Sequence, residues 1–218
     1  PRPTPNESSA GQMCIRDSLT DRLTDESIEF IEKRDVTKPF AVFLSFYNVH
    51  TPIQANLKHI DYYEKKLKKY SDNTIQTTNE GEAISVLNQR NPNYASMVHS
   101  TDENIGRLIS FLKDKNLYDS TLIIFTSDNG GLQGITQQKP LRAGKGSYYE
   151  GGIREPFLFV WKDKIRENTK NNTPISNLDI FPTILHAANI SFRYPLDGVD
   201  LSDLLFNKSS NLDRALFW

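Results

Sequence analysis

Three runs of strand length are apolar almost from end to end: Phe40-Ala41-Val42-Phe43-Leu44-Ser45-Phe46-Tyr47, Leu122-Ile123-Ile124-Phe125-Thr126 and Phe157-Leu158-Phe159-Val160-Trp161. A strand with one wet face alternates apolar and polar residues, so unbroken runs predict strands buried on both faces. Between the first two runs, Val98, Thr101, Ile105, Leu108 and Leu112 step by three and four residues, which predicts a long helix with Asn93 as its cap. An earlier helix is predicted around Leu23, Ile28 and Ile31, stopped by Lys38-Pro39. Helices alternating with fully apolar strands predict an α/β fold, a mostly parallel sheet flanked by helices.

Size and composition admit such a fold. In 218 residues, 37% are hydrophobic and 24% charged, enough apolar material for one sizeable core. A single globular domain is the expectation. The 26 Lys+Arg against 27 Asp+Glu leave a net charge of −1, which gives nucleic acid no general attraction. No apolar run approaches the roughly 20 residues of a membrane span. The single cysteine, Cys14, excludes an intramolecular disulfide framework and a Cys-only zinc site.

The chain opens on Pro1, and residues 1–18 are Pro/Ser-rich without period, so a disordered or foreign leader is expected before a domain over 19–218. Arg214-Ala215-Leu216-Phe217-Trp218 is expected to begin or belong to a truncated strand. Residues 65–90 are polar and predict a surface excursion, with Lys65, Lys66, Lys68 and Lys69 on a solvated helix face.

In an open α/β sheet, ligands gather beyond the carboxyl ends of the strands. The first run ends in Asn48-Val49-His50-Thr51-Pro52, where the proline forces an extended turn and leaves His50 at the tip. His50 either binds an anion or passes a proton, or is a histidine hydrogen-bonded into its loop. The second run ends in Ser127-Asp128-Asn129-Gly130-Gly131. There a carboxylate and an amide oxygen lie side by side, as hard divalent ions require, although Asp-Asn-Gly is also an ordinary turn. Two such ligands are too few for calcium, so a metal site needs partners from elsewhere. Gly144-Lys145-Gly146 sets an ammonium where a tetrahedral anion meets no neighbouring side chain. Glu150 and Arg154 are four apart and can pair on one helical turn. His59, His99 and His186 have no ligand-type neighbours in sequence and are read as structural or surface residues.

The order of these blocks resembles the sulfatase family of the alkaline-phosphatase superfamily. Lys38-Pro39-Phe40 to His50-Thr51-Pro52, Ser127 to Gly131, and Leu141 to Pro156 are similar to successive family blocks. Asn177-Leu178-Asp179-Ile180-Phe181-Pro182-Thr183-Ile184-Leu185 and Asp197-Gly198-Val199-Asp200-Leu201 extend the likeness. The resemblance implies an incomplete alkaline-phosphatase-like fold, the later part of a sulfatase catalytic domain. It implies Asp128 and Asn129 as calcium ligands, and His50 and Lys145 as the groups that hold the sulfate and stabilise the departing oxygen. The family's nucleophile is a formylglycine made from Cys or Ser in a Cys/Ser-x-Pro/Ala-x-Arg motif. Cys14 is followed by Ile15-Arg16-Asp17-Ser18 and does not match it, so formylglycine is expected upstream and the chain alone is expected to be inactive. Implied substrates are sulfated small molecules or polysaccharides, and the implied location is extracytoplasmic: periplasmic, secreted or lysosomal. A phosphatase or phosphonate hydrolase of the same superfamily, and a non-catalytic binder of sulfated glycans, remain as alternatives.

Overall fold

The computed structural model describes residues 18–81, 83–206 and 212–217. Cys14, the rest of the expected leader before Ser18, and Trp218 lie outside them. The described residues fall into two compact units: residues 18–115 with Gln133–Gln137, and Asn116–Leu132 with residues 138–217.

The first unit is built on two helices. Helix α1 (Leu19–Glu32) opens on a capping box: Ser18 Oγ accepts from the Asp21 backbone N–H at 3.3 Å, and the Asp21 carboxylate accepts from the Ser18 N–H at 3.2 Å. Ser18, placed in the leader by sequence, is thus the N-cap of this helix. After α2 (Ile60–Leu67) and a hairpin of β1 (Thr77–Glu80) with β2 (Ala83–Val86), helix α3 (Pro92–Asp114) spans the unit. Its cap is Asn91 rather than Asn93: Asn91 Oδ1 accepts from the Tyr94 N–H at 3.0 Å, and Pro92 takes the first helical position, where no N–H is needed.

The buried stripe of each helix is more polar than the sequence pattern suggests. On α1 it is Thr20, Thr24, Ser27 and Ile31, and on α3 it is Ser96, Met97, Ser100, Asn104 and Leu112. Val98, counted on the apolar stripe of α3, is exposed. Small residues let the helices approach, and several of their hydroxyls bond inside their own helix, Thr24 Oγ1 donating to Thr20 O at 2.9 Å and Ser27 Oγ to Leu23 O at 2.7 Å. Across the interface Asn104 Nδ2 donates to Asp21 at 2.7 Å, Lys115 pairs with Glu32 at 2.7 Å, and Arg107 pairs with Asp25.

The predicted surface excursion is borne out: Lys65, Lys66, Lys68 and Lys69 are exposed, and the segment folds back through the β1–β2 hairpin. The Gln133–Gln137 segment completes the hairpin's edge, the Val86 N–H donating to Gln133 O at 2.8 Å. Phe40–Tyr47 differs from expectation, because it joins no ladder among the described residues and Phe43 is 88% exposed. Apolar and β-branched composition makes a segment fit for a strand, but only a partner's free edge makes it one.

In the second unit β3 (Ile123–Thr126) pairs with β4 (Phe157–Val160). Both predicted strands exist, and they run antiparallel in the register Ile123↔Val160, Ile124↔Phe159, Phe125↔Leu158 and Thr126↔Phe157. With β1–β2 also antiparallel, no parallel pair occurs among the described ladders. Burial on both faces is not realised either: Phe125, Leu158 and Val160 are exposed, while Phe157 and Phe159 stack at 5.2 Å on the other face. The unit continues through α4 (Glu150–Ile153), a 3-10 turn at Asn177–Asp179, α5 (Ile180–Ala187) and α6 (Ser202–Leu205). Residues 212–217 form no strand. Arg214 instead reaches the fully buried Asp179, whose carboxylate also accepts from the N–H groups of Ser176 at 2.7 Å and Val199 at 2.9 Å.

Candidate active site

Three of the four residues singled out by sequence are brought together in the second unit. Strand β3 delivers Ser127-Asp128-Asn129 at its carboxyl end, with Asp128 exposed and Asn129 half-buried. Asn129 Nδ2 lies 3.3 Å from Asp128 Oδ1, so the carboxylate and the amide share one loop tip. Ser127 Oγ braces the turn by donating to Asn129 O at 3.1 Å, and Asn177 Nδ2 holds it from the 3-10 turn by donating to Ser127 O at 3.3 Å.

The loop bearing Lys145 is laced to this turn through backbone alone. The Lys145 N–H donates to Gly131 O at 3.0 Å, the Gly130 N–H to Gly152 O at 3.0 Å, and the Gly151 N–H to Arg142 O at 2.8 Å. These contacts require glycine. A Cβ on Gly130 would overlap the Gly151 carbonyl oxygen, and one on Gly151 would overlap the carbonyl oxygens of Arg142 and Ala143. Lys145 itself is half-buried, and its ammonium pairs with no carboxylate among the described residues. Glu150 and Arg154 pair at 3.0 Å across α4, the structural role read for them from spacing, and the Arg142 guanidinium lies 3.8 Å above the Tyr149 ring.

Sequence reasoning passed over Glu155. Burial, with the Asp128 charge added to it, pushes its carboxyl above the usual glutamate range. That carboxyl therefore sits in the field of Asp128. Its neighbours Arg154 and Pro156 gave no signal of this, because the proximity comes from the packing of the α4 turn against the β3 loop.

His50 belongs to the first unit. Its backbone N–H closes a turn by donating to Tyr47 O at 2.9 Å, and the imidazole is exposed. Nδ1 lies 2.8 Å from Thr51 O. A carbonyl only accepts, so the proton is on Nδ1, and Nε2 is left to take or give a proton at the surface. The other three histidines are structural, as read from sequence. His59 and His99 stack at 3.8 Å, His59 Nε2 meets Glu103 at 2.9 Å, and His186 Nδ1 meets Asp200 at 2.7 Å.

The donor chemistry fits part of a calcium site and no more. Asp128 and Asn129 supply oxygens of the kind calcium prefers, yet no cluster of three or more His, Cys, Asp or Glu suited to a metal occurs among the described residues. No helix among those residues is long and apolar enough to cross a membrane.

The family model described as sulfatase matches residues 2–190, and the chain belongs to the sulfatase family. A sulfatase of Formosa agariphila is 32% identical over 216 residues, covering 92% of this chain and 36% of its own length. Human steryl-sulfatase is 30% identical over 213 residues, covering 93% of this chain and 32% of its own. The chain thus spans about a third of the length of the curated relatives it matches. Among solved structures, that of Ps i-CgsB superposes with a TM-score of 0.72 at 34% identity, over 88% of this chain and 39% of that one. The same protein has also been solved in complex with k-i-k-neocarrahexaose, with a TM-score of 0.69. Its fold is therefore that of a sulfatase, with the helices and small sheets described above.

Proposed function

We propose that this chain is the later part, over residues 19–218, of the catalytic domain of a calcium-dependent sulfuric ester hydrolase with a mostly parallel, alkaline-phosphatase-like sheet. The observation that carries the proposal is the backbone lacing of the Lys145 loop to the Asp128-Asn129 turn. It ties the backbone that carries a cation to the backbone that carries two oxygen ligands, through glycines at which a Cβ would strike neighbouring backbone.

In this reading Asp128 and Asn129 hold calcium together with ligands from outside the described residues. Calcium, when bound, neutralises charge on the sulfate oxygens and orients them. Lys145 supplies a compact positive charge to the same sulfate. As the bond from sulfur to the bridging oxygen breaks, the electron pair stays on that oxygen, and a protonated His50 Nε2 donates to it. The Nδ1–H to Thr51 contact keeps the ring in the orientation for that transfer. The attacking group, expected to be a formylglycine upstream, is not among these residues, so the 218-residue chain alone turns nothing over. A sulfated carbohydrate is the favoured substrate, by likeness to the relative solved in complex with k-i-k-neocarrahexaose, and an extracytoplasmic location follows the family pattern.

The test is turnover of 4-nitrophenyl sulfate and 4-nitrophenyl phosphate by the full-length protein, with calcium and after chelation. Calcium-dependent sulfate ester cleavage that outpaces phosphate ester cleavage is expected. The reverse preference makes the protein a phosphatase or phosphonate hydrolase, and calorimetric binding of a sulfated glycan without release of sulfate makes it a binding protein.

A further inference from the structure

We propose that Ser96 and Asn48 are positioning residues for His50, a role that rests on the reading of His50 as the proton donor. Residues 48–56 form an irregular loop with His50 exposed near its start. Holding each such residue in one conformation costs backbone entropy, so a loop that presents a side chain to chemistry needs fixed ends.

Both ends of this loop are fastened to the same turn of α3. At the start, Asn48 Nδ2 donates to the Met97 carbonyl at 3.2 Å, and at the end the Asn56 backbone N–H donates to Ser96 Oγ at 2.9 Å. Residues eight apart in the loop are thereby pinned to adjacent residues of one helix, the closed geometry of a compact Ω-like loop.

Ser96 suits the task because its hydroxyl is fully committed. It is 0% exposed, and its Oγ donates to Asn93 O at 2.7 Å while accepting from Asn56. Alanine in its place leaves the Asn56 N–H without its acceptor and frees one foot of the loop. Asn48 stands two residues before His50, so its bond to Met97 fixes the backbone from which the imidazole projects. Both side chains act through His50 alone, and misplacing a reacting group by about 1 Å is enough to slow a reaction on the order of 100-fold.

The experiment is a double-mutant cycle in the full-length protein, with 4-nitrophenyl sulfate as the probe. Ser96→Ala and Asn48→Ala are each expected to lower kcat about tenfold or more with KM within about twofold. The alkaline limb of the pH–rate profile, where a proton donor is lost, is expected to move, because Ser96 and Asn48 fix the place from which the imidazole donates. In a His50→Ala background, Ser96→Ala is expected to add nothing, since its only route to the rate has been removed. A merely structural role lowers the rate equally in both backgrounds, and that outcome overturns the proposal. So does a His50→Ala variant with strongly reduced kcat beside Ser96→Ala and Asn48→Ala variants with unchanged kcat and pH profile. If His50→Ala retains the parent rate, the underlying assignment of His50 fails first and the positioning proposal falls with it. Asn48→Ala tests the same loop should Ser96→Ala disturb the folding of α3.

Discussion

The Gly130 backbone N–H donates to the Gly152 carbonyl at 3.0 Å, and the two loops meet so closely that a Cβ on Gly130 would strike the carbonyl oxygen of Gly151. This pairing joins the turn bearing Asp128 to the loop bearing Lys145, so stability and site geometry depend on the same contact. Gly130→Ala forces backbone apart in a packed region and is expected to cost about 1–3 kcal/mol. Gly106, exposed in the middle of α3, has nothing within 4 Å of its Cβ direction. Gly106→Ala is therefore expected to stabilise by about 0.5–1 kcal/mol through helix propensity. Thermal unfolding followed by circular dichroism compares the two. Equal losses from both substitutions would show that close packing is not what distinguishes Gly130.

Asp179 and Arg214 give the second unit a built-in acid sensitivity. Burial pushes the Asp179 carboxyl up, but hydrogen bonds from Arg214 and from the Ser176 and Val199 N–H groups outweigh it and hold the carboxyl below its ordinary value of 3.8. A depressed carboxylate stabilises the fold above its unfolded-state value, and that contribution is lost as pH falls through the folded-state value. The unit is expected to be steady from neutrality down to about pH 4 and to unfold progressively below it. Asp179→Ala strands a mostly buried guanidinium and is expected to cost about 3–5 kcal/mol at neutral pH. Urea titration at pH 7 and at pH 3 checks both. Parent and variant should differ most at pH 7 and converge in acid.

Much of the local chemistry was legible in the sequence because it is local. Glu150 and Arg154 pair across one helical turn because four residues is the helical spacing. Asp128 and Asn129 share a loop tip because they are adjacent. The positions of α1 and α3 followed from periodicity, although the cap fell on Asn91, since Pro92 can take the first helical position and Asn93 then lies inside the helix. What depends on partners was not legible. Nothing within Phe40–Tyr47 says which edge it would pair with, and nothing in Ile123–Thr126 and Phe157–Val160 distinguishes an antiparallel neighbour from a parallel one. Thr77–Glu80 escaped notice because Thr-Thr-Asn-Glu has no apolar alternation. The nearness of Glu155 to Asp128 and the fastening of the His50 loop to Ser96 span dozens of residues, and only the folded chain reveals them.

Phe125 and Leu158 lie directly opposite each other on β3 and β4, 40% and 55% exposed. A two-stranded ribbon with an uncovered apolar face and free edges invites strand pairing between molecules. The 218-residue chain is therefore expected to self-associate, and the double variant Phe125→Thr, Leu158→Thr is expected to do so markedly less while keeping strand-forming side chains at both positions. Sedimentation velocity over a concentration series makes the comparison. A parent chain that stays monomeric throughout, or a variant that associates as strongly, would locate the sticky surface elsewhere.

Lys145 stands between Gly144, which is buried, and Gly146, whose φ of +85° lies in the left-handed region. Lys145 is the one long side chain in the stretch Ala143-Gly144-Lys145-Gly146-Ser147, and the choice of lysine over arginine then matters. An ammonium is a compact charge with rotatable donors, whereas a guanidinium is a wide planar fork that needs room on both sides. In the full-length protein Lys145→Ala is expected to reduce kcat for 4-nitrophenyl sulfate about 100- to 1,000-fold, the range for removing one preorganised donor from developing charge. Lys145→Arg keeps the charge and is expected to recover only a small part of that loss, because a planar fork presents its charge and donors differently from a compact ammonium. The lacing by Gly130, Gly131 and Gly152 uses backbone only, so both variants should unfold at the parent temperature. Full recovery by arginine would show that position 145 contributes net charge alone, and that the narrow glycine-walled loop has no part in recognising the anion.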